Sequence, residues 1–139
     1  MELSDSGFIM LRDKLQKVID VEKDPRQQLL QLCAIHWEFA LEHKELYDLM
    51  FNGSHIVHGT NQRRPFGTQP GLGIEMVNNI FTGLTGSGDF QHLLINWICL
   101  RRGSIELLTQ NDDVFSELDR RSLYMEFMER FISSIEKKT

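Results

Sequence analysis

Apolar residues recur at steps of three and four along the first third of the chain, which is the spacing of amphipathic helices. This pattern predicts a first helix over residues 5–21. A second helix is predicted from Pro25 to about residue 43, because Asp24 offers an N-cap and proline fits the first helical turn. Its apolar arc is wide, so we expect it to be buried on several sides. A short third helix is predicted over residues 46–51, and together with the second helix it forms a continuous or bent hairpin arm.

The rest of the chain gives three further helices separated by connecting segments. Residues 54–70 have neither a helical nor an alternating period and are predicted to form a long surface loop. A short helix follows over 73–81, and the glycine-rich segment 83–88 is predicted to be a turn, because several glycines destabilise a helix. A long helix capped by Asp89 is predicted to reach about residue 110, and the last helix covers 114 to about 136.

These elements predict one all-α domain, residues 1–139, built as an antiparallel bundle of about six helices. The last helix is apolar on two faces and therefore needs a second packing partner. We expect a homodimer in which the last two helices of each chain form a four-helix interface. The predicted interface residues are Leu94, Ile98, Arg102, Ile105, Leu118, Met125, Met128 and Ile132.

The charge distribution argues against DNA binding by this chain alone. The formal net charge is -5, and lysines and arginines never run beyond adjacent pairs, so no concentrated basic face is expected. Cys33 and Cys99 lie in apolar stretches and are interpreted as buried thiols in a reducing compartment. We find no signal peptide and no apolar run near the length of a membrane span, which predicts a cytoplasmic chain without a membrane partner.

Catalytic and metal motifs are incomplete. The five histidines form no Glu-x-x-His pair of the kind found in di-iron bundles. The Cys33/His36 and His55/His58 pairs have the spacing of metal ligands, but the sequence offers no second pair to complete a metal site. There is no Gly-x-Ser-x-Gly elbow, and the glycine-rich segments lack a phosphate-binding pattern. We therefore predict no catalytic residues, no metal and no cofactor, and we expect that the chain is not an enzyme.

Aromatic and sulfur-containing residues are spread over the helices that should surround the centre of the domain. They could be plain core packing or could line a pocket for a small, mostly apolar ligand. Their abundance favours a pocket. The predicted ligand-binding residues are Cys33, His36, Trp37, Ala40, Tyr47, Met50, Phe51, Met76, Ile80, Phe81, Trp97 and Arg101.

Three polar members of these helices have two interpretations each. His36 lies on the buried arc of the second helix, either as a hydrogen-bonded core histidine or as a ligand contact. Arg101 and Arg102 interrupt an apolar helix; they could pair with Glu106 or Asp119 or reach solvent, or one of them could anchor a ligand carboxylate.

The segment from Trp37 to Phe51, WEFALEHKELYDLMF, resembles the FALEHPELYxLMF signature of TetR-family transcriptional regulators. Lys44 stands where the signature has proline. Residues 94–108 are similar to the penultimate helix of the family, which often carries Trp-x-x-x-His-Gly; Gly103 matches the glycine, while Arg102 replaces the histidine and Ile98 the tryptophan.

The resemblance implies a C-terminal domain that senses an effector and dimerises, and that controls DNA binding by an N-terminal helix-turn-helix head. No such head is recognisable in this sequence, so DNA is expected as a partner only through a domain absent here. The resemblance also implies that the first helix transmits the signal between sensor and head. A freestanding helical interaction module is the alternative, and a helical enzyme comes third.

Overall fold

The computed structural model describes residues 3–51, 74–86, 91–110 and 117–136. These residues form six helices and no strand, which confirms the predicted all-α helical bundle. The helices are α1 (Leu3–Val21), α2 (Pro25–Glu42), α3 (Lys44–Phe51), α4 (Ile74–Thr85), α5 (Gln91–Gln110) and α6 (Glu117–Ile135). The predicted loop at 54–70 and the predicted cap at Asp89 lie outside the described residues.

The start of α2 follows directly from the local sequence. Asp24 has an extended backbone, and its carboxylate accepts a hydrogen bond of 3.3 Å from the amide of Gln27, while Pro25 occupies the first helical turn. The helix ends before His43, whose amide still donates to the carbonyl of Phe39. The next helix begins at Lys44, so the chain breaks between α2 and α3 even though Lys44 stands in place of the proline in the signature that this segment resembles.

Helix α2 lies at the centre of the bundle and contacts every other helix. Around it, α1 also packs against α3, and α5 packs against α6. One continuous core draws buried apolar side chains from all six helices. The wide apolar arc read from the sequence of α2 is thus explained by a helix with neighbours on several sides, while Gln27, Gln31 and Glu38 lie on its exposed face.

Helix α4 is longer than predicted, and the turn expected at 83–88 is wrong at its first three residues, which are helical. Gly83 lies inside the helix, which continues to Thr85 before Gly86 adopts a left-handed φ of 72°. A Cβ placed on Gly83 would lie 3.1 Å from Cγ of Pro25. The glycine therefore lets α4 approach the first turn of α2 closely, and this packing offsets its low helix propensity.

None of the described helices is both long enough and apolar enough to cross a membrane.

Candidate functional site

A group of polar and aromatic side chains is buried where α2, α3 and α5 meet. We call it the central cluster and define it as Cys33 and His36 from α2, Tyr47 from α3, and Trp97 and Arg101 from α5. Each of the five is at most 5 % exposed. On α2 and α5 the paired members are three or four residues apart, so each helix presents its pair on one face.

Trp97 connects most of the cluster. Its indole Nε1 donates a hydrogen bond of 3.3 Å to Sγ of Cys33. The ring of His36 meets it edge to face at a centroid distance of 5.9 Å, and Phe81 of α4 does the same at 6.2 Å. His36 also lies edge to face with Tyr47, at 6.4 Å. These perpendicular ring contacts are among the favourable geometries for aromatic pairs.

Arg101 is buried although it carries a permanent charge. Only 3 % of the residue is exposed, and Cζ of its guanidinium lies 4.3 Å from the centroid of the Trp97 ring. The indole face attracts the cation, and the i, i+4 spacing on α5 places one side chain over the other. The alternative in which Arg101 reaches solvent is therefore wrong. Arg102, in contrast, is half-buried.

Burial keeps the thiol and imidazole of the cluster neutral. It raises the pKa of Cys33 from 9.0 to about 11, and the hydrogen bond from Trp97 and the charge of Arg101 only partly oppose this rise. It also lowers the pKa of His36 well below its usual 6.5, and the charge of Arg101 lowers it further. Cys33 is accordingly a thiol near neutral pH, which is the unreactive form.

The phenol of Tyr47 is neutral for the same reason. Burial raises its pKa above the usual 10, while the charge of Arg101 and its hydrogen-bonding contact with Tyr47 oppose that rise. The pKa of Arg102 is lowered by its partial burial, and the nearby Tyr47 and Glu106 counteract this. The central cluster therefore places a permanent cation beside an imidazole, a phenol and a thiol that are all neutral at pH 7.

A second aromatic pair lies beside the cluster and was not recognised in the sequence. Tyr124 of α6 stacks on Trp37 of α2, with ring centroids 4.9 Å apart and planes inclined by 29°. Its hydroxyl donates a hydrogen bond of 2.6 Å to the carbonyl of Cys33. The signal that could have found it is its spacing of four from Met128 and eight from Ile132, the buried line of α6.

Replacing Tyr124 with phenylalanine is expected to lower the free energy of unfolding by about 1 kcal/mol, because a buried hydrogen bond is lost while the stacked ring is kept. Urea denaturation followed by circular dichroism measures this change. Phe127→Leu on the same helix, at a half-buried site, is a control for altered aromatic packing. A Tyr124→Phe protein as stable as the unaltered chain would mean that the hydroxyl contributes nothing to folding.

The other predicted ligand-binding residues do not all join the cluster. Ala40 lines a small cleft together with Tyr47, and Ile80 and Phe81 are buried on α4. Met50 is buried and packs against Gly7 of α1. The contact is so close that a Cβ on Gly7 would lie 2.5 Å from Sδ of Met50. Met76 is half-buried, and the side chain of Phe51 lies outside the described residues.

Four residues predicted for the dimer interface belong to the interior of their own chain. Leu94, Ile105, Met128 and Ile132 are at most 5 % exposed. Helix α6, which holds the last two, packs against α2 and α5, and α5, which holds the first two, packs against α2, α4 and α6. These four side chains are therefore covered within the single chain, and the homodimer through the last two helices stays a prediction. Those left at least partly accessible are Ile98, Arg102 and Met125, while the side chain of Leu118 is outside the described residues.

Within the described part of the chain, no group of three or more histidine, cysteine, aspartate or glutamate side chains could hold a metal ion. No family model matches the chain, and no curated protein or solved structure is significantly similar to it. The fold and the site thus define an all-α protein with a charged aromatic centre, and its function has to be argued from that centre.

Proposed function

We propose that this chain is the effector-sensing and dimerisation domain of a TetR-like transcriptional regulator, and that the central cluster binds a small, mostly apolar ligand. In this proposal the ligand controls DNA binding by a helix-turn-helix head that precedes α1 in the complete regulator. The observation that carries the proposal is the central cluster itself. Polar groups within a helical interior are costly to bury, and small-molecule sites combine such groups with an aromatic lining.

The signature-like segment supports the same assignment. Its residues Phe39, Tyr47 and Met50 are all buried, and Tyr47 belongs to the cluster. The segment therefore supplies part of the wall of the proposed site.

A path for the signal exists between this site and α1. A ligand that displaces Tyr47 moves α3, and α3 packs against α1. The contact is close, since Gly7 of α1 leaves no room for a Cβ beside Met50 of α3. A shift of α3 therefore acts directly on the helix that would hold the head, as expected when two packed arrangements are in equilibrium.

The proposed dimer surface is the outer face of α5. Helical spacing places Ile95, Ile98, Cys99 and Arg102 on one side of this helix, opposite Trp97 and Arg101. Ile95 is 51 % exposed, which is unusual for isoleucine, and Ile98 is half-buried. Cys99, which was expected to be buried, is exposed on this face. Together with the two isoleucines it gives an apolar surface beside Arg102, which suits a self-complementary interface.

Ligand binding is tested by thermal denaturation and fluorescence with decan-1-ol, geraniol and 2-naphthol as neutral apolar probes. The variant Trp37→Phe leaves Trp97 as the one tryptophan, so a change in emission reports on the cluster. We expect at least one probe to raise the melting temperature; a probe at 100 times its Kd contributes about 2.7 kcal/mol. If neither the emission nor the melting temperature responds to any apolar probe, the sensor proposal fails.

Dimerisation is tested by sedimentation of the Ile95→Asp variant. A charge on the outer face of α5 is expected to shift a dimer to a monomer without unfolding the chain, since Ile95 is largely exposed. Leu41→Asp is the matched control, because Leu41 is an exposed apolar residue on α2, at 39 %. A chain that is monomeric without any substitution contradicts the dimer and, if it also binds no probe, favours a freestanding interaction module.

A further inference from the structure

The most exposed side of α5 carries large apolar residues towards both ends of the helix and small residues between them. Ile95 and Leu107 are 51 % and 65 % exposed, and Cys99 and Gly103 are exposed as well. Residues at helical steps of three and four lie on one side of a helix. We call this surface the α5 ridge and define it by its residues Ile95, Asn96, Cys99, Gly103, Glu106 and Leu107.

The α5 ridge is symmetric about residue 101. Its members form three pairs that lie equally far before and after this residue: Ile95 with Leu107, Asn96 with Glu106, and Cys99 with Gly103. If two copies of the helix cross in opposite directions at residue 101, a two-fold axis places the members of each pair at the same level, one on each copy. Isoleucine then meets leucine, the amide of asparagine can donate to the carboxylate of glutamate, and cysteine lies beside glycine. The ridge is therefore complementary to itself.

Gly103, at the middle of the ridge, has no packing role within the described part of the chain. A Cβ added to it would have none of the described heavy atoms within 4 Å, whereas a Cβ on Gly7 would meet Met50 and one on Gly83 would meet Pro25. Glycine inside an exposed helix is destabilising relative to alanine. A second helix packed on Gly103 would explain it, because helix axes come as close as about 8 Å only where small side chains lie at the contact.

The exposed side of α6 offers no comparable surface. Its exposed side chains within the described range are all charged or hydroxylated, among them Arg121, Glu129 and Arg130. Charged residues are depleted at the centre of protein interfaces. A contact between copies is therefore expected to be centred on α5.

We infer that two copies of this chain dock with their α5 helices antiparallel and crossing at residue 101, so that Cys99 of each copy lies beside Gly103 of the other. This inference rests on the proposed dimerisation and specifies its residues and register. A second copy is the occupant that the ridge fits, because a partner of another sequence would have no need of the symmetry about residue 101.

Replacing Gly103 with leucine tests the close approach, because the change is expected to act on folding and on association in opposite directions. Leucine has a higher helix propensity and meets open space in the single chain, so the midpoint of urea denaturation should rise at concentrations below the Kd of the dimer. In the dimer the side chain enters the crossing point, so sedimentation should give a Kd at least about 10-fold higher. Ser122→Leu, at an exposed site on α6, is the matched control and should leave the Kd unchanged.

Cross-linking tests the register. In a Cys99→Ser background, a ¹⁵N-labelled Ile95→Cys chain is mixed with an unlabelled Leu107→Cys chain and treated with bismaleimidoethane, and mass spectrometry distinguishes mixed from uniform dimers. We expect almost all cross-linked dimers to be mixed, since the two cysteines are then level, whereas in a uniform dimer they lie about 18 Å apart along the helix axis. The Cys99→Ser chain by itself should give no cross-link, because Cys33 is buried.

The outcomes separate this inference from the function on which it rests. A chain that sediments as a monomer at every concentration removes both the register and the proposed dimerisation. A dimer that gives uniform cross-links or none overturns the register and leaves dimerisation standing. A dimer that tolerates Gly103→Leu, or is weakened equally by Ser122→Leu, overturns the crossing at α5 in the same way. Should the cysteine variants fail to associate, the two leucine variants decide the question.

Discussion

Replacing Met128 with alanine is expected to lower the free energy of unfolding by about 2–5 kcal/mol, a large part of the stability of a domain of this size. The side chain is completely buried on α6, in line with Tyr124 and Ile132. Truncation removes its apolar contacts and leaves a cavity between α6 and the helices that cover it. Urea denaturation monitored by circular dichroism gives the change directly.

Met125, three residues earlier on α6, provides the matched control. It is half-buried, and the sequence alone assigned both methionines to one dimer interface. We expect Met125→Ala to lower the free energy of unfolding by about 1 kcal/mol or less at concentrations where the chain is monomeric. Equal losses for the two variants would contradict the assignment of Met128 to the interior of its own chain.

The helices themselves could be predicted because their signals are local. The periods of α1 and α2 and the Asp24 cap depend only on neighbouring residues, and the observed ends differ from the predicted ones by a few residues at most places. Gly83 was misread because its role depends on a distant partner. Nothing near it in the sequence shows that Pro25 lies against it, so its low helix propensity appeared decisive.

The division between core and interface could not be read from periodicity. An apolar stripe shows that a helix face is covered, but the covering element can belong to the same chain or to another. In α6 the line through Met128 and Ile132 is covered by helices of its own chain, so the apolar stripe there needs no partner chain to explain it. The exposure of Ile95 could not be read from the sequence for the converse reason, since only the packing shows that its side of α5 is open.

The burial of most residues in the central cluster could be predicted from the sequence, but the way in which they contact each other could not. Cys33, His36 and Trp97 were all named from the sequence, because an apolar arc at helical spacing indicates burial. Their contacts run between α2 and α5, and no sequence pattern gives the register of two helices that lie far apart in the chain. The burial of Arg101 was the hardest to foresee, because a long basic side chain on a helix can usually reach water.

His36 is expected to make the stability of the protein fall with decreasing pH. Burial and the charge of Arg101 lower the pKa of His36 in the folded chain well below 6.5, whereas in the unfolded chain it stays near that value. Above pH 6.5 the imidazole is neutral in both states and has no effect. Below pH 6.5 the unfolded chain binds a proton that the folded chain does not, so unfolding becomes more favourable by about 1.4 kcal/mol for each pH unit, down to the folded pKa.

This slope is measured by urea denaturation at intervals from pH 7.5 to 5.0 for the unaltered chain and for His36→Gln. The difference between the two curves isolates His36, since carboxylates titrate in both proteins. Nearby groups do not interfere, because burial raises the pKa of Cys33 to about 11, Tyr47 is raised above 10, and arginine stays charged. The control His92→Gln, at an exposed site on α5, should retain the loss of stability that His36 causes. Parallel curves for His36→Gln and the unaltered chain would contradict this prediction. They would show that the imidazole of His36 binds a proton in the folded chain as readily as in the unfolded chain.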